Sequence, residues 1–230
     1  MQTRSPSDLP RRALRGTLVF SLALLVLILA AAGSLRYWQG WLFWLHFTAW
    51  TVGLTLYFLR HDPALVERRL RSGPMAEQEP AQKWIQLLAV IAIGAAFVVP
   101  ALDHRFHWSA IPALGIVIGH VGVAAGYFMI FRVFRENSFA AATVEVAADQ
   151  TVISSGPYAV VRHPMYAGAA IMFLGAPLAL GSWWGLVPGV LLIAILAARL
   201  LHEEAYLSRN LRGYDAYRRT VRWRLLPGVW

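Results

Sequence analysis

Residues 40–59 read GWLFWLHFTAWTVGLTLYFL: twenty positions without one Asp, Glu, Lys or Arg. About twenty predominantly apolar residues, at 1.5 Å each, match the thickness of a bilayer's hydrocarbon core. Trp38, Trp41 and Trp44 crowd the first end, where amphipathic rings anchor a span at the membrane surface. The rest of the chain repeats the theme. Further apolar runs occupy 17–32, 84–102, 111–131, 165–181 and 185–198, the last two around a Gly-Ser-Trp-Trp corner. Of the 230 residues, 58% are hydrophobic and only 14% charged, outside the range of soluble domains. These runs predict an all-α integral membrane protein of about six transmembrane helices, the last two a helical hairpin whose arms are barely long enough to cross. A cleavable leader ending near Ala30 and Ala32 is the alternative for the first run. A retained span is preferred, because the run is long and others follow.

The charges sort by loop. The 21 Lys and Arg against 12 Asp and Glu give a formal net charge of +9. Nearly all the basic residues fall in the amino terminus, the 60–83 loop, the 132–164 segment and the 199–230 tail. The intervening loops hold Arg36 and Arg105 only. The positive-inside rule then puts both termini and those segments in the cytoplasm, as in a bacterial inner membrane. This topology accounts for the charge better than a nucleic-acid partner, for which no motif is present. No cysteine is present, which excludes disulfides and thiolate chemistry. His104 and His107 lack a third ligand nearby, and no metal is expected. His46 and His120 lie within spans without acidic or basic company, a pattern of hydrogen-bonded histidines rather than a proton pathway. Gly115, Gly119, Gly122 and Gly126, like Thr48, Thr51, Gly53 and Thr55, mark close helix packing.

Two stretches carry chemistry. Residues 154–168, SSGPYAVVRHPMYAG, set Tyr158, Arg162, His163 and Tyr166 among Pro157, Pro164, Gly156 and Gly168. Prolines interrupt the helix and free backbone groups beside an apolar segment, a combination tolerated where a cavity is lined. Upstream, Val144, Val146, Val152 and Ile153 suggest short extended pieces around a turn at Asp149-Gln150. Downstream, the last apolar run leads into Arg199, Glu203 and Glu204. Arg199 and Glu203 are four apart and share one helix face, while the adjacent glutamates cannot both meet one partner.

The pair GPYxxxRHPMYxG (156–168) and Arg-x3-Glu-Glu (199–204), with the approach NSFAAATVEVAADQTVISSGPY (137–158), resembles the isoprenylcysteine carboxyl methyltransferase family. The likeness covers about residues 132–230. Phospholipid N-methyltransferases share the His-Pro-x-x-x-Gly core and the paired glutamates, and membrane sterol reductases are more distant relatives. The resemblance implies membrane helices in 1–131 and a catalytic region in 132–230. It implies S-adenosylmethionine as cofactor (S-adenosylhomocysteine as product), without metal. The cofactor contacts fall on Gln150, Thr151, Val152, Ile153, Tyr158, His163, Pro164, Met165, Tyr166 and Glu203. The arginine that holds a substrate carboxylate falls on Arg199, with Arg162 beside it; His163 and Glu204 are the candidates for proton handling. The expected partner is an amphiphilic, prenyl- or acyl-bearing acceptor drawn from the bilayer. Carboxyl O-methylation is favoured by Arg199, with phosphatidylethanolamine N-methylation as the alternative. A non-catalytic accessory protein and a nicotinamide-dependent reductase are the remaining readings, the latter without any phosphate-cradling glycine loop.

Overall fold

The computed structural model describes residues 8–70 and 79–230 other than 141, 145 and 148, together with 73, 75 and 77. Among these residues there are eight α-helices: α1 Leu9–Ala32, α2 Trp38–His61, α3 Pro63–Leu70, α4 Pro80–Phe106, α5 Ala113–Glu136, α6 Pro164–Ala179, α7 Leu186–Asn210 and α8 Tyr214–Thr220. Five of them, α1, α2, α4, α5 and α7, are long and apolar enough to cross a membrane. The sixth expected span is α6, with 16 residues, about 24 Å of helix. It is short because it begins part-way down the bundle at Pro164, in the first turn, where proline's missing N–H costs no helical bond. The 60–83 loop contains the short α3. No strand forms among the described residues. Where extended pieces were expected, the chain closes a local turn instead: Gln150 N donates to the Ala147 carbonyl at 3.0 Å, and Ala147 N to the Gln150 side chain at 3.1 Å.

The tightest packing joins α5 to α6, and glycine makes it possible. A Cβ on Gly119 would stand 2.2 Å from Ala179 N, and one on Gly126 would stand 2.5 Å from Gly168 O. Gly175 returns the contact, its absent Cβ 2.7 Å from Gly119 O. The backbones touch, as small residues at four-residue spacing allow in lipid-embedded helices. Gly115 lies outside this seam, against the side chain of Ile111.

Polar groups fasten both ends of the bundle. At one end the buried Asp103 carboxylate accepts from Ser109 N (2.7 Å) and from the hydroxyls of Ser109 and Ser182, and Tyr37 donates to the Leu180 carbonyl. The α1–α2, α4–α5 and α6–α7 turns are thereby gathered together. At the other end Arg12 pairs with Glu67 at 2.7 Å, bringing α3 against α1. The arginine-rich segments share this second end, the grouping expected from the loop charges. Between the ends, His46 and His120 meet through their Nδ1 atoms at 2.9 Å, and Trp50 donates to His46 Nε2 at 3.0 Å. These are hydrogen-bonded span histidines joining α2 to α5.

Candidate active site

The low start of α6 creates the site. Gly168, in the second turn of α6, packs beside Met129 and Ile130 of α5, and Tyr166 meets Glu203 of α7. Beyond that level α5 runs on to Glu136 and α7 to Asn210, about 10 Å of overhang on each side. Segment 137–163, α8 and the tail close around the gap. What remains is a recess, open at its mouth, between these elements.

Gln150, Thr151, Val152, Ile153, Tyr158, His163, Pro164, Met165, Tyr166 and Glu203 all line this recess, as does Arg162. His163 and Glu203, forty positions apart in sequence, face one space. At its floor the Tyr166 hydroxyl donates to Glu203 Oε2 (2.5 Å) and accepts from Arg199 Nε (3.1 Å). Tyr158 accepts from Asn137 Nδ2 at 2.9 Å through its hydroxyl, and burial pushes that phenol up to about 12.

The neighbouring glutamates divide as adjacent helix positions must. Glu203 turns to the recess. Glu204 turns away, with Arg162 Nε 2.7 Å from its Oε1 (an ion pair off the hydrogen-bond axis), His163 Nε2 at 3.3 Å and Arg224 Nε at 3.0 Å. This carboxylate therefore clamps three elements: the His163 corner, α7 and the tail. The tail adds backbone bonds, Arg162 N to Trp223 O (2.9 Å) and His163 N to Arg224 O (3.0 Å). Arg162 completes its contacts on the Arg218 and Val221 carbonyls.

Arg199 does not itself line the recess and reaches it through Tyr166. Its guanidinium donates to Glu77 Oε1 (2.7 Å), Gln86 Oε1 (2.7 Å) and Ala142 O (2.9 Å) as well as to Tyr166. Glu77, itself buried, also accepts from Val144 N at 3.1 Å. Sequence reasoning missed Glu77 and Gln86, the partners that occupy Arg199. It also missed Asn137, Thr143, Leu207, Leu211, Tyr214 and Tyr217, which complete the lining together with Phe139, Ala140 and Val144. Only the tyrosines had a visible signal, their place just after the paired glutamates.

A nucleoside-bearing sulfonium amino acid fits this donor set. Tyr214 lines the recess, and its buried Oη has no hydrogen-bond partner among the described residues, so it is available to a polar group of a ligand. Burial raises the Tyr214 phenol well above its ordinary value, reinforced by the charges of Glu204 and Glu203, which keeps it a donor. Glu203 offers acceptors for an ammonium or ribose hydroxyls, and Val152, Ile153, Leu207 and Leu211 offer an apolar wall for a base.

The fold defines a multi-pass, all-α membrane protein with a polar, aromatic recess at the arginine-rich end of its bundle. Residues 114–212 match the family model for phospholipid methyltransferase, a likeness in keeping with the resemblance that the two motifs carry. The match runs from the start of α5 to just past α7 and so contains both halves of the recess. No curated protein matches the chain.

Proposed function

We propose that the chain transfers a methyl group from S-adenosylmethionine to the polar head of a membrane amphiphile, by carboxyl O-methylation of an isoprenylcysteine-like or other lipid-chain acid. The observation that carries this reading is the meeting of 150–166 with Glu203 over one recess, inside the region of family likeness. When bound, the cofactor supplies an electrophilic methyl beside a sulfonium that leaves as a neutral thioether. The protein's own task is to align the reactants and exclude water. Glu203 and Tyr214 hold polar groups of the cofactor, and the Val152–Ile153 wall holds its base. Tyr166 is fixed by Arg199 and Glu203, so its ring cannot swing from the floor.

The acceptor follows from the proton inventory. The Tyr166 proton is committed to Glu203, and His163 Nε2 is tied to Glu204, which two arginines already flank. A carboxylate acceptor is ionised at neutral pH and needs no base. An amine must first lose a proton. The description of the matching family favours the second reading, N-methylation of a phospholipid amine. Labelled methyl from the cofactor, supplied to the purified chain with bacterial membrane extract, distinguishes them. A base-labile product supports the ester and a base-stable lipid supports the amine; no label in any extract would sink both. We further infer a bacterial inner-membrane location with the recess and both termini cytoplasmic, motivated by the shared end of the arginine-rich segments. Cysteine-accessibility labelling of positions 36 and 212 from outside intact cells tests it, and labelling at 212 alone would reverse the orientation.

A further inference from the structure

The floor of the recess is braced from outside both motifs. Glu77, between α3 and α4, pairs with Arg199 at 2.7 Å, and the two side chains are 1% and 7% exposed. Its two carboxylate oxygens face different parts of the site. Oε1 accepts from Arg199 Nη2 at 2.7 Å, and Oε2 accepts from Val144 N at 3.1 Å. Val144 lines the recess. Arg199 donates through Nε to the Tyr166 hydroxyl, which donates in turn to Glu203. One buried carboxylate therefore reaches the lining by two routes, through a wall residue and through the floor. Glu77 itself does not line the recess, and it precedes residues 114–212, where the family likeness lies.

The charge matters as much as the bonds. The other partners of Arg199 are Gln86 Oε1, the Ala142 carbonyl and the Tyr166 hydroxyl, all neutral. Removing one member of a buried ion pair strands the other without compensation. The carboxylate on the far side of Tyr166 is Glu203. A stranded Arg199 would be drawn toward it, and a guanidinium on Glu203 competes with whatever a ligand presents there.

Resting on the S-adenosylmethionine reading above, we propose that Glu77 is a positioning residue of the cofactor recess. By neutralising Arg199 it keeps that guanidinium on Tyr166 and leaves Glu203 to the cofactor. Through Val144 N it also holds the 142–144 wall. Binding groups keep their geometry only when the residues behind them are themselves locked.

The test is calorimetric titration of the full chain in detergent with S-adenosylhomocysteine, below the unfolding temperature of every variant. Glu77→Ala weakens binding about tenfold or more, the scale expected when a buried pair is broken. Formate, a carboxylate small enough to replace the missing one, restores affinity to within about threefold, whereas formamide, of similar shape and no charge, does not. Glu79→Ala, which removes an exposed carboxylate two positions on, leaves affinity within about twofold. Adding Arg199→Gln to Glu77→Ala costs no more than Arg199→Gln alone and abolishes the formate response, because no cation is left to neutralise. A residue that only holds the fold would lower Tm yet show no recovery that depends on charge. Unaltered affinity in Glu77→Ala, formate no better than formamide, or losses that add in the double variant would each overturn the assignment. If Glu77→Ala does not fold, Glu77→Gln carries the comparison, since it keeps an acceptor for Arg199 and removes the charge. Weakened binding by that folded variant supports the assignment, and wild-type affinity overturns it. A wild-type chain that fails to bind would refute the methyltransferase reading and this assignment with it; normal wild-type binding beside an indifferent Glu77→Ala refutes the assignment alone.

Discussion

Replacing each of the adjacent glutamates by glutamine separates the clamp from the binding group. Glu204 and Arg162 are 5% and 6% exposed, and removing one member of a buried pair costs roughly 3–5 kcal/mol. The Arg224 arm is 27% exposed and adds little after solvent screening. Glutamine keeps one acceptor, so the lower end, about 3 kcal/mol, is the reasonable magnitude. For a chain of this size that lowers Tm by roughly 6–12 °C. Below that temperature Glu204→Gln binds S-adenosylhomocysteine within threefold of wild type. Glu203→Gln does the reverse. Its amide can still accept from Tyr166, so Tm stays within about 2 °C, while the lost charge-assisted bond to the ligand costs about 1.5–3 kcal/mol, roughly ten- to hundredfold in Kd. Thermal unfolding by tryptophan fluorescence and calorimetric titration read the two quantities independently. A stable Glu204→Gln that fails to bind, beside an unstable Glu203→Gln that binds normally, would refute the division of roles.

Other outcomes follow from the same geometry. Tyr214→Phe removes a buried hydroxyl that has no partner among the described residues and weakens cofactor binding about three- to tenfold, with Tm unchanged or slightly raised; unaltered affinity in calorimetry would show that the hydroxyl serves no ligand. Gly119→Ala drives a methyl into the backbone of α6 and costs about 1–3 kcal/mol or more, while Gly115→Ala, which meets the side chains of Ile111 and Pro112 and no backbone of α6, costs less; comparing the two unfolding temperatures checks the seam. Deleting 222–230 removes the backbone bonds to Arg162 and His163 and the Arg224 arm, and cofactor binding falls at least tenfold; full affinity in the truncated chain would contradict the tail's role. Burial raises Tyr158 to about 12, and raises Tyr214 and Tyr217 as well. Each favours its protonated form in the folded state, so stability holds below pH 10 and falls as pH climbs toward 12. Tyrosinate absorbance that develops fully with an ordinary midpoint near 10, without unfolding, would count against their burial.

The membrane class was readable because twenty uncharged residues have few other fates, and the α5 glycines announced a backbone contact by their four-residue spacing. The lining from Gln150 to Tyr166 and at Glu203 was legible for a different reason: prolines and paired glutamates recur as a recognisable pattern. What stayed hidden were contacts that sequence separation obscures. Glu77 meets Arg199 across 122 positions from a loop of mixed charge whose arginines alone informed the topology. Asp103 stands beside His104 and Arg105 at the end of an apolar run and reads as one more loop charge, although it fastens two turns. Residues Val144 to Ile153 have strand-like composition but no partner edge, so turn hydrogen bonds prevail. The length of α6 depended on where Pro164 sits relative to the other helix ends, a matter of packing.

The central claim is that the 150–166 segment and the end of α7 enclose one nucleoside. An experimental structure with S-adenosylhomocysteine bound tests this most directly. It should show the base against Val152 and Ile153, a polar group within hydrogen-bond reach of Tyr214 Oη, and another at Glu203. Ligand density anywhere else on the chain, with that recess empty, would contradict it.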